Sequence, residues 1–403
     1  MLVYQRMNPD ASLEAAVKQL IDSKPSFLPD NKRVSEGTLS TNTSTYSQAR
    51  SRLPSEATEW FANQVSQSMI AATTPTLKDR RVFVIDGTTI KFAPVTALRK
   101  RFLPASNQHG ESAFPVALLT VAQELASGVA LLPEVGAMYG ENAISKTSLI
   151  RELLRQMPTD SVVMADIGFG IFAVAHEIKL AGHSFCLRLN KQRFEVLKRT
   201  ATLVATGTDF KVWSHHWRPS ENDRRGHPNL PKDATLEVRV HEITINKNLT
   251  LMLVASLAEN SSVLADLYRR RGDVEVDIRN LKVVLDTENI RARSVAMFFK
   301  ELLTSIVSHN LVSQFRCQAA ELVNELPRRM SFKRIWTTFR QFLLSAMFTD
   351  AVQWRARYDT ALRYAMLDKL PNRPGRTFER EAYRRTSKAI RFKRRIPKSL
   401  PEQ

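Results

Sequence analysis

Val82-Phe83-Val84-Ile85-Asp86-Gly87-Thr88-Thr89-Ile90-Lys91-Phe92 is the stretch on which the fold turns. Its first four residues are β-branched or aromatic without a break, the pattern of a strand buried on both faces, and an aspartate follows at the carboxyl end. Gly87 reads as a tight turn into a second apolar stretch, Thr89 to Phe92. A second short apolar run, Ser161 to Ala165, delivers Asp166 just ahead of the turn Gly168-Phe169-Gly170. Phe114 to Val121 reads as another buried strand, and Ser148 to Met157 as a helix with Leu149, Ile150, Leu153, Leu154 and Met157 on one face. A helix over 171–181 and a strand over 184–189 follow. Strands alternating with helices predict an α/β layer with partly parallel strands, where sites gather outside the carboxyl ends of the strands.

Upstream of that layer, residues 12–75 read as a small helical head with polar breaks. Leu13, Val17, Leu20 and Ile21 recur at helical spacing, and Asp30 to Ser47 is rich in Ser, Thr and Asn. Downstream, between Phe194 and Glu259, alternating β-type residues such as Leu236-Glu237-Val238-Arg239-Val240 predict an inserted antiparallel unit. Helical pattern resumes at Leu264 and continues with breaks to about Tyr364. The end, Arg373 to Lys398, is dense in arginine and lysine with Phe378, Tyr383 and Phe392 interspersed, and reads as an extended basic tail able to clamp phosphates. No internal repeat is evident.

The chain has 403 residues, enough for two or three structural units and a sizeable core. Lys plus Arg number 59 against 40 Asp plus Glu, a net charge of +19, and nucleic acid is the first partner such an excess suggests. Ribosome-associated and membrane-surface proteins share that balance. The two cysteines, Cys186 and Cys317, are far apart and lack histidines at ligand spacing, so neither a zinc site nor a disulfide framework is indicated, and a reducing cytoplasm fits. The first residues lack a basic stretch followed by an apolar run, and the most apolar later segment, Val295 to Val312, is broken by Lys300, Glu301 and His309; no signal peptide or membrane span is expected.

Tyr268, Arg271, Glu275 and Lys282 stand at offsets of 0, 3, 7 and 14 on one expected helix. At helical pitch they share a sector of about 60°, with Leu267, Val274, Ile278, Leu281 and Leu285 forming the apolar stripe beside it. Such a face is equally what a solvated, salt-bridged helix looks like. Its company changes the reading. Asp86 and Asp166 are expected at strand ends, although an aspartate before glycine also serves as a turn or cap residue. With Glu275 they make three carboxylates able to hold two Mg²⁺ ions, which prefer oxygen ligands and complete their shells with water and phosphate.

The spacing Tyr268-x2-Arg271-x3-Glu275-x6-Lys282 resembles the Y-R-E-K signature of the insertion-sequence transposases of family four, DDE enzymes with a ribonuclease-H-like core. Val84-Ile85-Asp86-Gly87-Thr88 and Met164-Ala165-Asp166-Ile167-Gly168-Phe169 resemble the family's first and second aspartate strands. Ala49-Arg50-Ser51-Arg52-Leu53-Pro54, His309-Asn310-Leu311-Val312, Met330-Ser331-Phe332 and the arginine-rich end look similar as well. Resemblance thus runs from about residue 45 to 395.

It implies a mixed sheet flanked by helices, interrupted by a β-rich insertion, with helical regions at both ends. The expected segments are a helical DNA-binding region over 1–75, the first part of the core over 76–190, the insertion over 191–260, the second part of the core over 261–315, and a helical region with basic tail over 316–403. By that similarity Asp86, Asp166 and Glu275 are the metal ligands, for Mg²⁺ with Mn²⁺ as a substitute. Tyr268, Arg271 and Lys282 position the DNA end, and Arg188 lies where a further basic DNA contact belongs. The implied activity is cut-and-paste transposition. A homodimer on double-stranded DNA binds terminal inverted repeats, cleaves a strand and joins the 3′-hydroxyl to target DNA, with a hairpin intermediate as one route. The expected setting is bacterial, cytoplasmic and nucleoid-associated.

Two features stand apart. Gly272 occupies the position after the signature arginine where the family commonly has tryptophan, and the helical head is shorter than the family's. A truncated or catalytically inactive DNA-binding derivative is the alternative these suggest. Trp213, His215, His216 and Trp217 cluster in the insertion, where an aromatic can stack on a flipped base or simply form the unit's own core.

Overall fold

The computed structural model describes residues 2–8, 12–23, 30–108, 110–346 and 350–371. At its centre lies a mixed sheet with ten strands among the described residues. These are β1 (Val82–Lys91), β2 (Pro104–Asn107), β3 (Gly110–Glu124), β4 (Glu134–Ala137), β5 (Val162–Ala165), β6 (Ser184–Arg188), β7 (Thr202–Thr206), β8 (Phe210–Trp217), β9 (Leu236–Asn246) and β10 (Leu249–Ala255). Their order is β2-β3-β1-β5-β6-β10-β9-β8-β7, with β4 on β3. β1, β5 and β6 run parallel, while β3 returns antiparallel beside β1. Five strands in the order β4-β3-β1-β5-β6, with helices on both faces, make an arrangement consistent with a ribonuclease-H-like core.

The unbroken apolar runs of β1 and β5 are explained by burial on both faces. Phe83, Ile85, Val163, Ala165, Phe185 and Leu187 point to one side, where they meet the helices Ile150–Arg155 and Phe172–Leu180. Val82, Val84, Val162, Met164 and Cys186 point to the other, against Leu264, Leu267, Tyr268, Val274 and Ile278. Each helix of the second set therefore needs only one apolar stripe, which leaves its opposite flank free for charge.

Gly87 makes no turn: β1 continues through it to Lys91, paired along its length with β3. The second apolar stretch is thus the same strand, and Asp86 sits in its middle. Strands β7 to β10 are antiparallel, as their alternation implied, and they continue the core sheet, because β10 pairs with β6. A helix, Lys191–Arg199, precedes them where the sequence read as β-type. Trp213 and Trp217 belong to the core, in edge-on contact with Phe194 and Phe172 respectively.

The central helix Val295–Glu321 is buried on nearly every side. Glu301, inside it, receives both Arg6 and Arg50, while Lys300 donates to the Arg50 and Ser51 carbonyls at 3.3 and 3.1 Å. Those bonds tie the amino-terminal helices to the core. Asn310 does the same elsewhere, exchanging two 2.8 Å hydrogen bonds with the Ala130 backbone and donating to Ser66 at 2.9 Å. Two helices, Phe332–Ala346 and Ala351–Ala365, follow. The chain divides into a compact unit, Met1–Lys369, and a second, Leu370–Gln403. The basic tail from Arg373 to Lys398 lies outside the described residues. No helix among the described residues is long and apolar enough to cross a membrane.

Candidate active site

Register places the first two carboxylates side by side. Ile85, Ala165 and Leu187 pair across β1, β5 and β6, so Asp86, Asp166 and Arg188 each come one residue after a matched position on three adjacent parallel strands. By alternation all three project to the face shared by Val84, Met164 and Cys186. The helices Ser261–Arg269 and Gly272–Arg279 cover that same face.

Asp86 is partly buried and accepts from the Gly87 amide at 2.7 Å. Burial holds its carboxyl above the usual carboxylate range, against the pull of that amide, and the neighbouring Asp166 charge adds to the rise. Asp166 caps a short 3₁₀ turn, Ile167–Phe169, accepting from the Gly168 amide at 2.9 Å. Its cap role and its place in the cluster coexist. Lys146 joins the pair: its ammonium lies 3.3 Å from both Asp166 oxygens and 4.0 Å from Asp86 Oδ1.

Glu275 approaches from the covering helix. Arg271 stands between, donating to Glu275 Oε1 at 2.7 Å and reaching Asp86 Oδ2 at 4.0 Å. Burial works against the Arg271 charge, but the bond to Glu275 and the neighbouring acids more than offset it and hold the guanidinium firmly protonated. The Glu275 side chain is 60% exposed. Among the described residues no three His, Cys, Asp or Glu side chains lie close enough to one another to hold a metal ion. Lys146 and Arg271 occupy the ground between the acids.

The helix expected to carry all four signature residues is not continuous. Hydrogen bonds tighten to the i−3 pattern over 270–274, at 2.9 to 3.1 Å, where Gly272 weakens the α-helix. A π-helical turn then spans Asn280–Val284 and changes the angular step, so Lys282 leaves the row and pairs with Glu288 at 3.4 Å. Tyr268 is buried, its hydroxyl 3.5 Å from the carbonyl of Ala165, the residue before Asp166, and burial pushes its pKa up to about 12. Its place in the structure is against the Asp166 strand end.

The family model described as the transposase DDE domain matches residues 77–311, which include every residue named in this site. The chain belongs to the transposase DDE domain family. No curated protein matches it. Among solved structures, a piggyBac transposase synaptic complex with hairpin DNA, seen by cryo-electron microscopy, is similar over 78% of this chain and 62% of that one, at 15% identity and a TM-score of 0.37. The chain thus spans less than two thirds of that chain's length.

In this DDE domain the sequence reading missed Lys146, because an isolated lysine in an irregular loop shows no period and no motif. A signal was present in the glycines. Gly87 and Gly168, each next to or near an aspartate, mark places where another side chain comes close to the backbone. At Gly87 a Cβ would stand 2.9 Å from Lys146 Cδ, and at Gly168 2.8 Å from its Nζ.

Proposed function

We propose that this chain is a cut-and-paste DNA transposase of insertion-sequence family four, which binds terminal inverted repeats, hydrolyses a strand at the element end and joins the freed 3′-hydroxyl to target DNA. One observation carries the reading: Asp86 and Asp166, at matched positions on adjacent parallel strands, share a single cation position, now filled by the Lys146 ammonium. Hard oxygen donors converging on one positive charge suit Mg²⁺, with Mn²⁺ as substitute. Asp86 and Asp166 are the proposed ligands, completed by Glu275 across Arg271. With one divalent ion at that position and a second held between Glu275 and an aspartate, the metal would supply activation of the attacking oxygen and stabilisation of the leaving one.

The chain's own residues do the rest. Arg271 offers a planar fork to a backbone phosphate, and Arg188, level with Asp166 on β6, extends the positive edge along the strand ends. Lys282 contributes from within the π-helical turn. Tyr268 acts by holding the Ala165 end of β5 in place. Double-stranded DNA is the partner, and two element ends held together call for a homodimer on DNA. The net charge of +19 supports strong, salt-sensitive binding.

A second reading is a DNA-binding derivative without turnover, favoured by one observation: Glu275 is engaged by Arg271 and does not touch the aspartate pair. Incubation of a linear duplex carrying an element end with Mg²⁺ or Mn²⁺ separates the two. Strand cleavage and joined products, lost in Asp86→Asn and Glu275→Gln, are expected of the enzyme. Salt-sensitive binding with no cleavage in either metal would leave only the derivative, and cleavage without joined products would indicate a nuclease.

A further inference from the structure

Lys146 belongs to none of the elements that carry the acids; it lies in the irregular run between β4 and the helix Ile150–Arg155. Even so, much is built around it. Thr120 on β3 donates its hydroxyl to the Lys146 carbonyl at 3.2 Å. The stem crosses Gly87 and Gly168, where a Cβ would sit 2.9 Å from Cδ and 2.8 Å from both Cε and Nζ. Neither glycine has a positive φ, so what these positions supply is room for the lysine, not a backbone conformation closed to other residues. The ammonium rests 4.4 Å over the Phe169 ring, a cation–π contact that fixes its far end. Its side chain is 30% exposed, which leaves a way out.

We propose that Lys146 is a built-in competitor for the divalent-ion position, holding Asp86 and Asp166 in charge balance until an ion displaces it. The inference rests on the reading of the aspartates as ligands. A cation and an ammonium cannot share the same carboxylate oxygens at full strength, so the lysine weakens ion binding by the interaction it must give up. DNA shifts that balance. Phosphate offers the displaced ammonium another partner, and by reciprocity duplex that engages Lys146 tightens ion binding while the ion tightens duplex binding. Ion loading is thereby tied to the arrival of substrate.

The test is titration of the full chain with Mn²⁺ alone, by calorimetry or by the spin signal of free Mn²⁺, for the wild type, Lys146→Met and Asp86→Asn, with thermal melts to confirm folding. Lys146→Met is expected to bind Mn²⁺ about tenfold more tightly, the effect of removing one charge at this range. A short duplex without element ends is expected to tighten Mn²⁺ binding more in the wild type than in Lys146→Met. Equal Mn²⁺ affinity in folded wild type and Lys146→Met, with Asp86→Asn abolishing binding, overturns this inference and leaves the aspartate site standing. Binding that survives Asp86→Asn unchanged, or is absent from both wild type and Lys146→Met, overturns the site and the inference together.

Discussion

Asp277 is completely buried two residues beyond Glu275, and there it receives the guanidinium of Arg328. Arg316 of the central helix approaches the same carboxylate at 3.8 Å and donates to the Ser127 carbonyl at 2.9 Å. Gly128, at φ +79°, closes over the group, and a Cβ there would meet Arg316 Nη2 at 2.7 Å. One buried acid thus locks the Glu275 helix to the central helix, the turn after β3 and the segment Pro327–Arg329.

Asp277→Asn should therefore be costly. It leaves Arg316 and Arg328 buried without their countercharge, and breaking a buried pair from one side typically costs about 3–5 kcal/mol. Urea unfolding of wild type and variant measures the difference. A loss below about 1 kcal/mol would show that the pair carries little of the stability assigned to it.

Gly170 makes a sharper steric case. A Cβ at this position would collide with the Arg188 carbonyl oxygen, which belongs to the strand beside β5 and has no flexible end to swing away. Gly170→Ala should push the Asp166 turn off β6, at a cost of about 1–3 kcal/mol. Thermal unfolding checks the stability. Mn²⁺ titration checks the consequence for Asp166, with weaker binding expected; an unchanged melting temperature would contradict the steric account.

Much of this was legible in the residues. The runs at Val82 and Val162 declared buried strands because parallel neighbours and two covered faces leave no polar positions, and Asp166 does follow the end of its strand, whereas Asp86 lies in the middle of β1. What the one-dimensional pattern could not carry was register and interruption. Gly87 signals a turn and a close approach with the same letter, and only the fold decides between them. A period of 3.6 assumes an unbroken helix, whereas Gly272 and the π-helical turn at Asn280–Val284 change the phase and send Lys282 to Glu288. The Asp277 network and Lys146 escape a periodic pattern for a different reason: their partners lie 39 and 51 residues away for Asp277 and 20 and 60 for Lys146.

Two histidines give the molecule a readable pH response. Burial pushes His241 and His309 down to about 4. His241 contacts the Ser261 hydroxyl with Arg239 near it; His309 meets the Gly128 carbonyl, with Asp277, Arg316 and Arg328 around it. An unfolded histidine takes its proton at about 6.5, so between about 6.5 and 4 the unfolded chain binds more protons, and folding stability falls as pH falls. By pH 4 the loss approaches about 3 kcal/mol for each. Glu134 works in the opposite sense, since burial raises it to about 7 and its ionisation at higher pH opposes the fold. Variants separate the two. His241→Gln should gain stability at pH 4.5 relative to pH 7, and Glu134→Gln should gain at pH 7 relative to pH 4.5. Urea midpoints at both pH values test this, and parallel shifts in the two variants would refute the assignment.

Gly272 offers a change expected to strengthen the fold independently of pH. It opens the helix that carries Glu275, its φ is not positive, and a Cβ placed there meets nothing within 4 Å. Alanine adds no clash and removes backbone freedom from the unfolded chain, so Gly272→Ala should stabilise by about 0.4–1 kcal/mol. The same open space also admits a large aromatic, which in Gly272→Trp would stand beside Arg271 at the mouth of the site. If that surface meets DNA, the tryptophan should raise duplex affinity, through stacking or added contact, without changing the melting temperature by more than a few degrees. Filter binding at two salt concentrations, run beside thermal melts of both variants, reads the two effects separately. A destabilised Gly272→Ala would mean that the i−3 hydrogen bonds over 270–274 depend on glycine itself, and that the helix break is built into the site.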